Sequence, residues 1–237
     1  MNIKAIFFDL DGTLRHSIPE GGAVFTQYVT TLGFHINEED RLRALRWEHG
    51  YWASSADLRD DLVAHSDDTE NFWIEYSRRR LITLGLSPEQ AIEIAPKASA
   101  HMGEAYQPES IVPEEVLKAL TELKEAGYIL AVISNRDKPL HETLESHGIN
   151  EFFQFSLAGG EVDIYKPEPG IFEHALKRAD LNPQETVYVG DNYFADVVGS
   201  RRAGLRPVLY DPNGLFPEAD CAVIKSFGEL IPLIKTM

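Results

Sequence analysis

Residues 3–14 read IKAIFFDLDGTL. From Ile3 to Phe8 the run is apolar apart from Lys4, and Gly12 closes it, the pattern of a strand buried on both faces of a parallel sheet. Two carboxylates follow, Asp9 and Asp11, with Leu10 between them. Open α/β sheets place their chemistry just beyond the carboxyl ends of their strands. Asp and Gly are also ordinary turn formers. The stretch alone therefore permits a turn or a site, and the residues downstream decide between them.

Past Leu14 the periodicity turns helical and stays so for most of the next ninety residues or so. Phe25, Tyr28, Val29 and Leu32 fall on one helix face, which Gly33 ends. Further helices are predicted over 38–49, 56–65, 69–84 and 88–106, the last capped by Ser87-Pro88. No strand pattern interrupts them. Around Pro108 and Pro113 the reading changes to alternation: a helix through Val116, Leu117, Leu120 and Leu123, a strand over 128–133, a helix over 138–147, and a weaker strand near 153–157. A helix over 168–179, a strand over 186–189, a helix over 194–203 and strands at 207–210 and 221–224 follow. The fold class is α/β: a doubly wound, Rossmann-like parallel sheet with an inserted α-helical cap. The expected domains are a core of residues 1–16 and 108–237 and a cap of 17–107.

The chain of 237 residues carries 22 basic and 38 acidic side chains, a net charge of −16. That excess repels nucleic-acid phosphates and anionic lipid headgroups, so neither is expected as a partner. A phosphorylated substrate would need positive charge placed locally, from lysine or a metal. The single cysteine, Cys221, excludes an internal disulfide, fits a reducing compartment and reads as a small buried residue. No run approaches the length of a membrane span, and no signal-like segment precedes the first strand, so a cytoplasmic protein is expected. No oligomeric state follows from the sequence.

Four polar clusters fall at predicted strand ends. Asp9 and Asp11 follow the first strand, Ser134 and Asn135 follow the strand ending at Ile133, Lys166 sits in YKPEP, and Asp191 and Asp196 sit in GDNYFAD. Parallel strands bring such ends to one crevice. Aspartate oxygens suit Mg²⁺, a lysine and a hydroxyl suit phosphoryl oxygens, and a carboxylate facing phosphorus can be a nucleophile. A second carboxylate can protonate the leaving oxygen and then activate water. Taken singly, each cluster also has a structural reading: a strand-to-helix turn, a solvated lysine, a helix cap.

In this order the motifs resemble those of the haloacid dehalogenase (HAD) superfamily of hydrolases, in the branch with a helical cap after the first motif. DLDGT resembles the first motif, Ser134 the second, Lys166 the third and GDNYFAD the fourth. The resemblance implies Asp9 as nucleophile and Asp11 as general acid/base. It implies Mg²⁺ held by the Asp9 carboxylate, the Asp11 main-chain carbonyl and Asp191, with Asp196 and Asn192 in support. It implies Gly12, Thr13, Ser134, Asn135 and Lys166 around the phosphoryl group. The expected activity is hydrolysis of a small phosphorylated metabolite through an aspartyl-phosphate. The superfamily's dehalogenases lack the acid that Asp11 supplies, so attack on carbon is disfavoured. Its phosphonate hydrolases use a cap lysine, and the insert offers only Lys97, late in the segment. A phosphomutase and a non-catalytic phosphate-binding relative are the other readings.

Substrate choice belongs to the cap and its mouth, where Arg15, His16, Arg46, Tyr51 and Trp52 are the candidates. Cap core or surface is the competing reading for each of them. Arg78-Arg79-Arg80 reads as a solvated helix face.

Overall fold

The computed structural model describes residues 2–237. The chain forms two compact units, one of Met1–His16 with Ile111–Met237, the other of Ser17–Ser110. In chain order the first elements are β1 (Ala5–Phe8) and β2 (His16–Ile18). Five helices follow: α1 (Gly21–Thr31), α2 (Glu38–Trp52), α3 (Ala56–Ala64), α4 (Thr69–Thr83) and α5 (Pro88–Ala105). The chain continues with β3 (Glu109–Ile111), α6 (Glu114–Glu125), β4 (Ile129–Ser134), α7 (His141–Ser146), β5 (Phe155–Ala158), α8 (Gly159–Val162) and α9 (Pro169–Ala179). It ends with β6 (Thr186–Gly190), α10 (Gly199–Arg202), β7 (Arg206–Tyr210), β8 (Ala222–Ile224) and α11 (Leu230–Ile234).

Six strands make one parallel sheet in the order β5-β4-β1-β6-β7-β8. β1 lies between β4 and β6, with Phe8 level with Val132 on one side and Val189 on the other. All four of its residues are fully buried. Their alternation divides the core: Ile6 and Phe8 pack in the cluster of Val116, Leu120, Leu123 and Phe227, while Ala5 and Phe7 pack in that of Ile171, Phe172 and Leu176. Covering both faces is what an apolar parallel strand requires. Each buried Phe contributes about 1.5–3 kcal/mol.

β2 and β3 pair as a separate two-stranded sheet at the two chain crossings between the units. The return crossing falls at Ser110–Ile111, three residues beyond the expected boundary of 107 and 108, because Glu109–Ile111 is drawn into this pairing. The helix expected over 194–203 is instead a π-helical turn, Tyr193–Val198, followed by α10. Cys221 is half-buried rather than buried, because it opens onto the edge strand β8, where Val223 is exposed.

The helical unit is specified by its caps. Asn37, Ser55, Asp68 and Ser87 each accept a hydrogen bond from a main-chain N–H of the first turn of α2, α3, α4 and α5. At α5 the Gln90 side chain reciprocates by accepting from Ser87 N at 2.9 Å, which completes a capping box. Its core is built from Phe25, Val29, Leu81, Leu84, Ile94 and their neighbours. The arginine triple on α4 departs from expectation. Arg80 is 2% exposed and pairs with Glu48 at 2.6 Å, whereas Arg78 and Arg79 reach Glu75, Asp57 and Asp61. Three consecutive helical residues are about 100° apart around the axis, so an amphipathic helix cannot turn all three to water. Among the described residues no helix is long and apolar enough to cross a membrane.

Candidate active site

The carboxyl edge of the large sheet gathers the charged residues. Asp9 leaves β1 and is only 6% exposed, and Lys166, from the loop before α9, is 2% exposed. Lys166 Nζ donates to Asp9 Oδ1 at 2.6 Å, to Asp196 Oδ1 at 2.7 Å and to the Tyr188 hydroxyl at 3.1 Å. That hydroxyl in turn donates to Ile133 O at 3.0 Å. These three acceptors come from the end of β1, from β6 and from the turn that follows β6. Burial works against the lysine charge, but Asp196 and Asp9 outweigh it and hold Lys166 well above the usual lysine range. Burial pushes Asp9 up to about 7, with Lys166 opposing and Asp196 adding to the rise.

Asp191 follows β6 and is held by the first motif. Thr13 Oγ1 donates to Asp191 Oδ1 at 3.1 Å and accepts from Asp191 N at 3.0 Å. Gly12 has φ +90°, and a Cβ there would stand 2.4 Å from Asp191 Oδ2, so the close approach requires glycine. Gly190 plays the same part for Asp196, whose Oδ2 would lie 2.3 Å from an added Cβ. Asp196 comes from the π-helical turn, where Asn192 accepts from Phe194 N and Ala195 N while its own N–H donates to Asp196 Oδ2 at 2.9 Å. Single-turn π segments recur at functional sites. Asp9, Asp191 and Asp196 each offer an oxygen within 4.8 Å of the others. Burial drives Asp191 well above the usual carboxylate range, with Asp9 and then Asp196 adding repulsion.

Asp11 stands apart from that triad. Its carboxylate accepts a two-pronged hydrogen bond from Arg136, Nε to Oδ2 at 2.7 Å and Nη2 to Oδ1 at 2.8 Å, and a further one from Arg15. Burial works to raise Asp11, but Arg136 and then Arg15 prevail and hold it below the usual range.

The other expected residues are placed as follows. Thr13 is fully buried, and its hydroxyl bonds to Asp191. Asn135 spends its amide on the loop carrying Lys166, donating to Lys166 O at 2.9 Å and accepting from Lys166 N at 2.6 Å. Ser134 is buried, and its hydroxyl bonds to no described residue. Tyr51 is 2% exposed, because it belongs to an aromatic cluster with Trp47, Trp52 and Tyr76 and donates to Asp61 at 2.9 Å. Trp52 is 37% exposed, on the margin of the same cluster, and Arg46 is half-buried on α2. His16 packs edge-on against Tyr210, ring centroids 6.0 Å apart. Lys97 is exposed and pairs only loosely with Glu93.

Two residues of the site escaped the sequence reading. Arg136 directly follows Ser134-Asn135 at the end of β4, and a basic residue at such a strand end was the available signal. Tyr188 lies inside β6, where only the three-dimensional register brings its hydroxyl to Lys166.

Comparisons with known proteins bear on the family and the fold. Residues 3–204 match the family model of the haloacid dehalogenase-like hydrolases. The chain is 28% identical to the human haloacid dehalogenase-like hydrolase domain-containing protein 3, over 99% of this chain and 94% of that one. It is 32% identical to phosphoserine phosphatase of Thermus thermophilus, over 91% of each. Its fold superposes on the crystal structure of a 2-haloacid dehalogenase from Pseudomonas syringae with a TM-score of 0.56 at 24% identity, covering 99% and 98% of the two chains. The chain therefore belongs to the haloacid dehalogenase-like hydrolases.

Proposed function

We propose that this hydrolase cleaves small phosphomonoesters with Mg²⁺ as cofactor, through an aspartyl-phosphate on Asp9. The observation that carries the reading is Lys166, which joins Asp9 to Asp196 in a buried cluster while a separate acid, Asp11, stands two residues on. Relatives named as phosphatases support phosphorus over carbon as the centre attacked.

Hard carboxylate oxygens are the ligands Mg²⁺ takes, and Asp9 and Asp191 fit it, with the Asp11 main-chain carbonyl added by resemblance and Asp196, whose oxygens accept from Lys166 and Asn192, in support. When bound, the cation would neutralise acid charge that otherwise repels the ester and polarise the phosphoryl oxygens. Lys166 and Ser134 contact those oxygens. The Asp9 carboxylate attacks phosphorus as the bond to the leaving oxygen breaks, and Asp11, which must first take up a proton from water against the pull of Arg136 and Arg15, gives that oxygen its proton. Water then attacks the acyl phosphate, Asp11 takes its proton, and inorganic phosphate leaves with Asp9 restored.

Purified protein should release phosphate from an aryl phosphate only with added Mg²⁺. Undiminished release from Asp9→Asn, or in excess chelator, would overturn the mechanism. A sugar monophosphate converted to its isomer without free phosphate would make the enzyme a mutase instead.

A further inference from the structure

We propose that Arg136, with Arg15 beside it, is the receptor for a second anionic group on the substrate, so that the preferred esters carry a carboxylate or a further phosphate near the leaving oxygen. This rests on the phosphatase reading and narrows it.

The geometry is that of a receptor. Nε and Nη2 of Arg136 present the planar fork that matches a carboxylate or phosphate, and Nη1 is steadied by Thr143 Oγ1 at 3.3 Å. The fork grips Asp11, and two guanidinium groups converge on that one carboxylate. Two guanidinium groups on one carboxylate make a local concentration of positive charge in a chain with a net charge of −16. Nor does the pair serve the fold: the side chains of Arg136 and Asp11 are 35% and 38% exposed, and ion pairs so exposed add little stability.

The proposed reaction decides which anion is meant: in it the transferred phosphoryl group meets Asp9, Lys166 and Ser134, whereas Asp11 serves the leaving oxygen. An anion on the leaving-group side competes with Asp11 for the Arg136 fork. When it wins, two N–H bonds pass from Asp11 to the substrate, and Asp11 keeps Arg15 while gaining oxygens that can serve the leaving group. Esters with the second anion would then assemble the acid as they bind, and neutral esters would not.

The test compares matched probes on the full chain with Mg²⁺. Calorimetry measures phosphonoacetate and 1,2-ethylenediphosphonate against ethylphosphonate; kinetics measure carboxymethyl phosphate against ethyl phosphate. One charge-assisted fork is worth about tenfold to a hundredfold. The wild type should prefer at least one anionic probe by that factor, and which one it prefers tells a carboxylate receptor from a phosphate receptor. In Arg136→Gln the preference should collapse towards unity, mostly through KM, while Arg136→Lys keeps part of it. Equal affinity for all probes in the wild type, or a preference that survives Arg136→Gln, overturns the receptor. So does a fall in kcat on both esters with the ratio intact, because Arg136 would then only position Asp11. If the wild type hydrolyses no ester, the phosphatase reading fails, and the binding ratios still judge the receptor.

Discussion

Replacing Lys166 by Met removes the one ammonium among the buried carboxylates while keeping most of its volume. Its Nζ lies 2.6 Å from Asp9 and 2.7 Å from Asp196. At an effective dielectric constant of about 20 each contact represents about 6 kcal/mol of attraction, much of it spent on burying the ions. Removing one member of such a set leaves uncompensated charge and costs about 3–5 kcal/mol. For a chain of this size that corresponds to a fall of about 6–20 °C in the melting temperature of the sheet-containing unit. The assay is scanning calorimetry in chelator at about pH 5.5 and about pH 8.5.

The pH dependence has a fixed sign. Asp9 titrates at about 7, above its unfolded value of 3.8, so the folded state binds this proton more tightly and loses stability as pH rises between those values. Without Lys166 the opposing attraction is gone, and the window extends upward. The Lys166→Met deficit should therefore be smaller at the lower pH, where a proton replaces the ammonium. A variant as stable as the wild type at about pH 8.5, or a deficit equal at both pH values, would refute the electrostatic account.

Gly12→Ala should cost about 1–2 kcal/mol for its left-handed backbone and, by displacing Asp191, lower Mg²⁺-dependent phosphate release by at least about tenfold, as read in initial rates on an intact fold. Tyr188→Phe strands Ile133 O and removes one acceptor from Lys166, a loss of about 1–3 kcal/mol measurable by urea unfolding. In the helical unit, burial would raise Glu48, but Arg80 holds it below its usual value of 4.5. Its contribution is present above that value and is lost as pH falls through the lowered folded-state value, so a Glu48→Gln deficit at neutral pH should shrink progressively as pH falls below 4.5. Tryptophan fluorescence reads this unit alone, because Trp47, Trp52 and Trp73 all lie in it.

What the sequence makes legible is what short range determines. β1, the acids at its end and the alternating core follow from patterning within a few residues, and Lys166, Asp191 and Asp196 follow from strand ends that a parallel sheet must bring together. Partners far along the chain are another matter. Thr13 binds Asp191 across 178 positions and Asn135 binds Lys166 across 31, so neither hydroxyl nor amide announces that it is already spent. Three adjacent arginines do not declare which one turns inward. That choice lies with Glu48 and Tyr76, which the fold brings to Arg80. β2 and β3 are three residues each and mostly polar, too short for any period to show.

The charge at the sheet edge also constrains how the site can be filled. With every group ionised, Asp9, Asp11, Asp191 and Asp196 would outnumber Lys166, Arg15 and Arg136 by one charge, and burial answers part of that excess by raising Asp9 and Asp191 so that they hold protons more tightly. The cations are unevenly placed: Lys166 serves the buried triad, while both guanidinium groups lie on Asp11. A phosphomonoester dianion aimed at Asp9 therefore meets the side of the site where acids outnumber bases three to one. On the proposed mechanism, a cation shared with Asp191 would reverse that local sign. The coupling must be mutual, with each ligand raising the affinity of the other by the same factor. Arg136 and Arg15 lie outside that balance, so they can recognise a second anion without weakening the hold of Lys166 on Asp9.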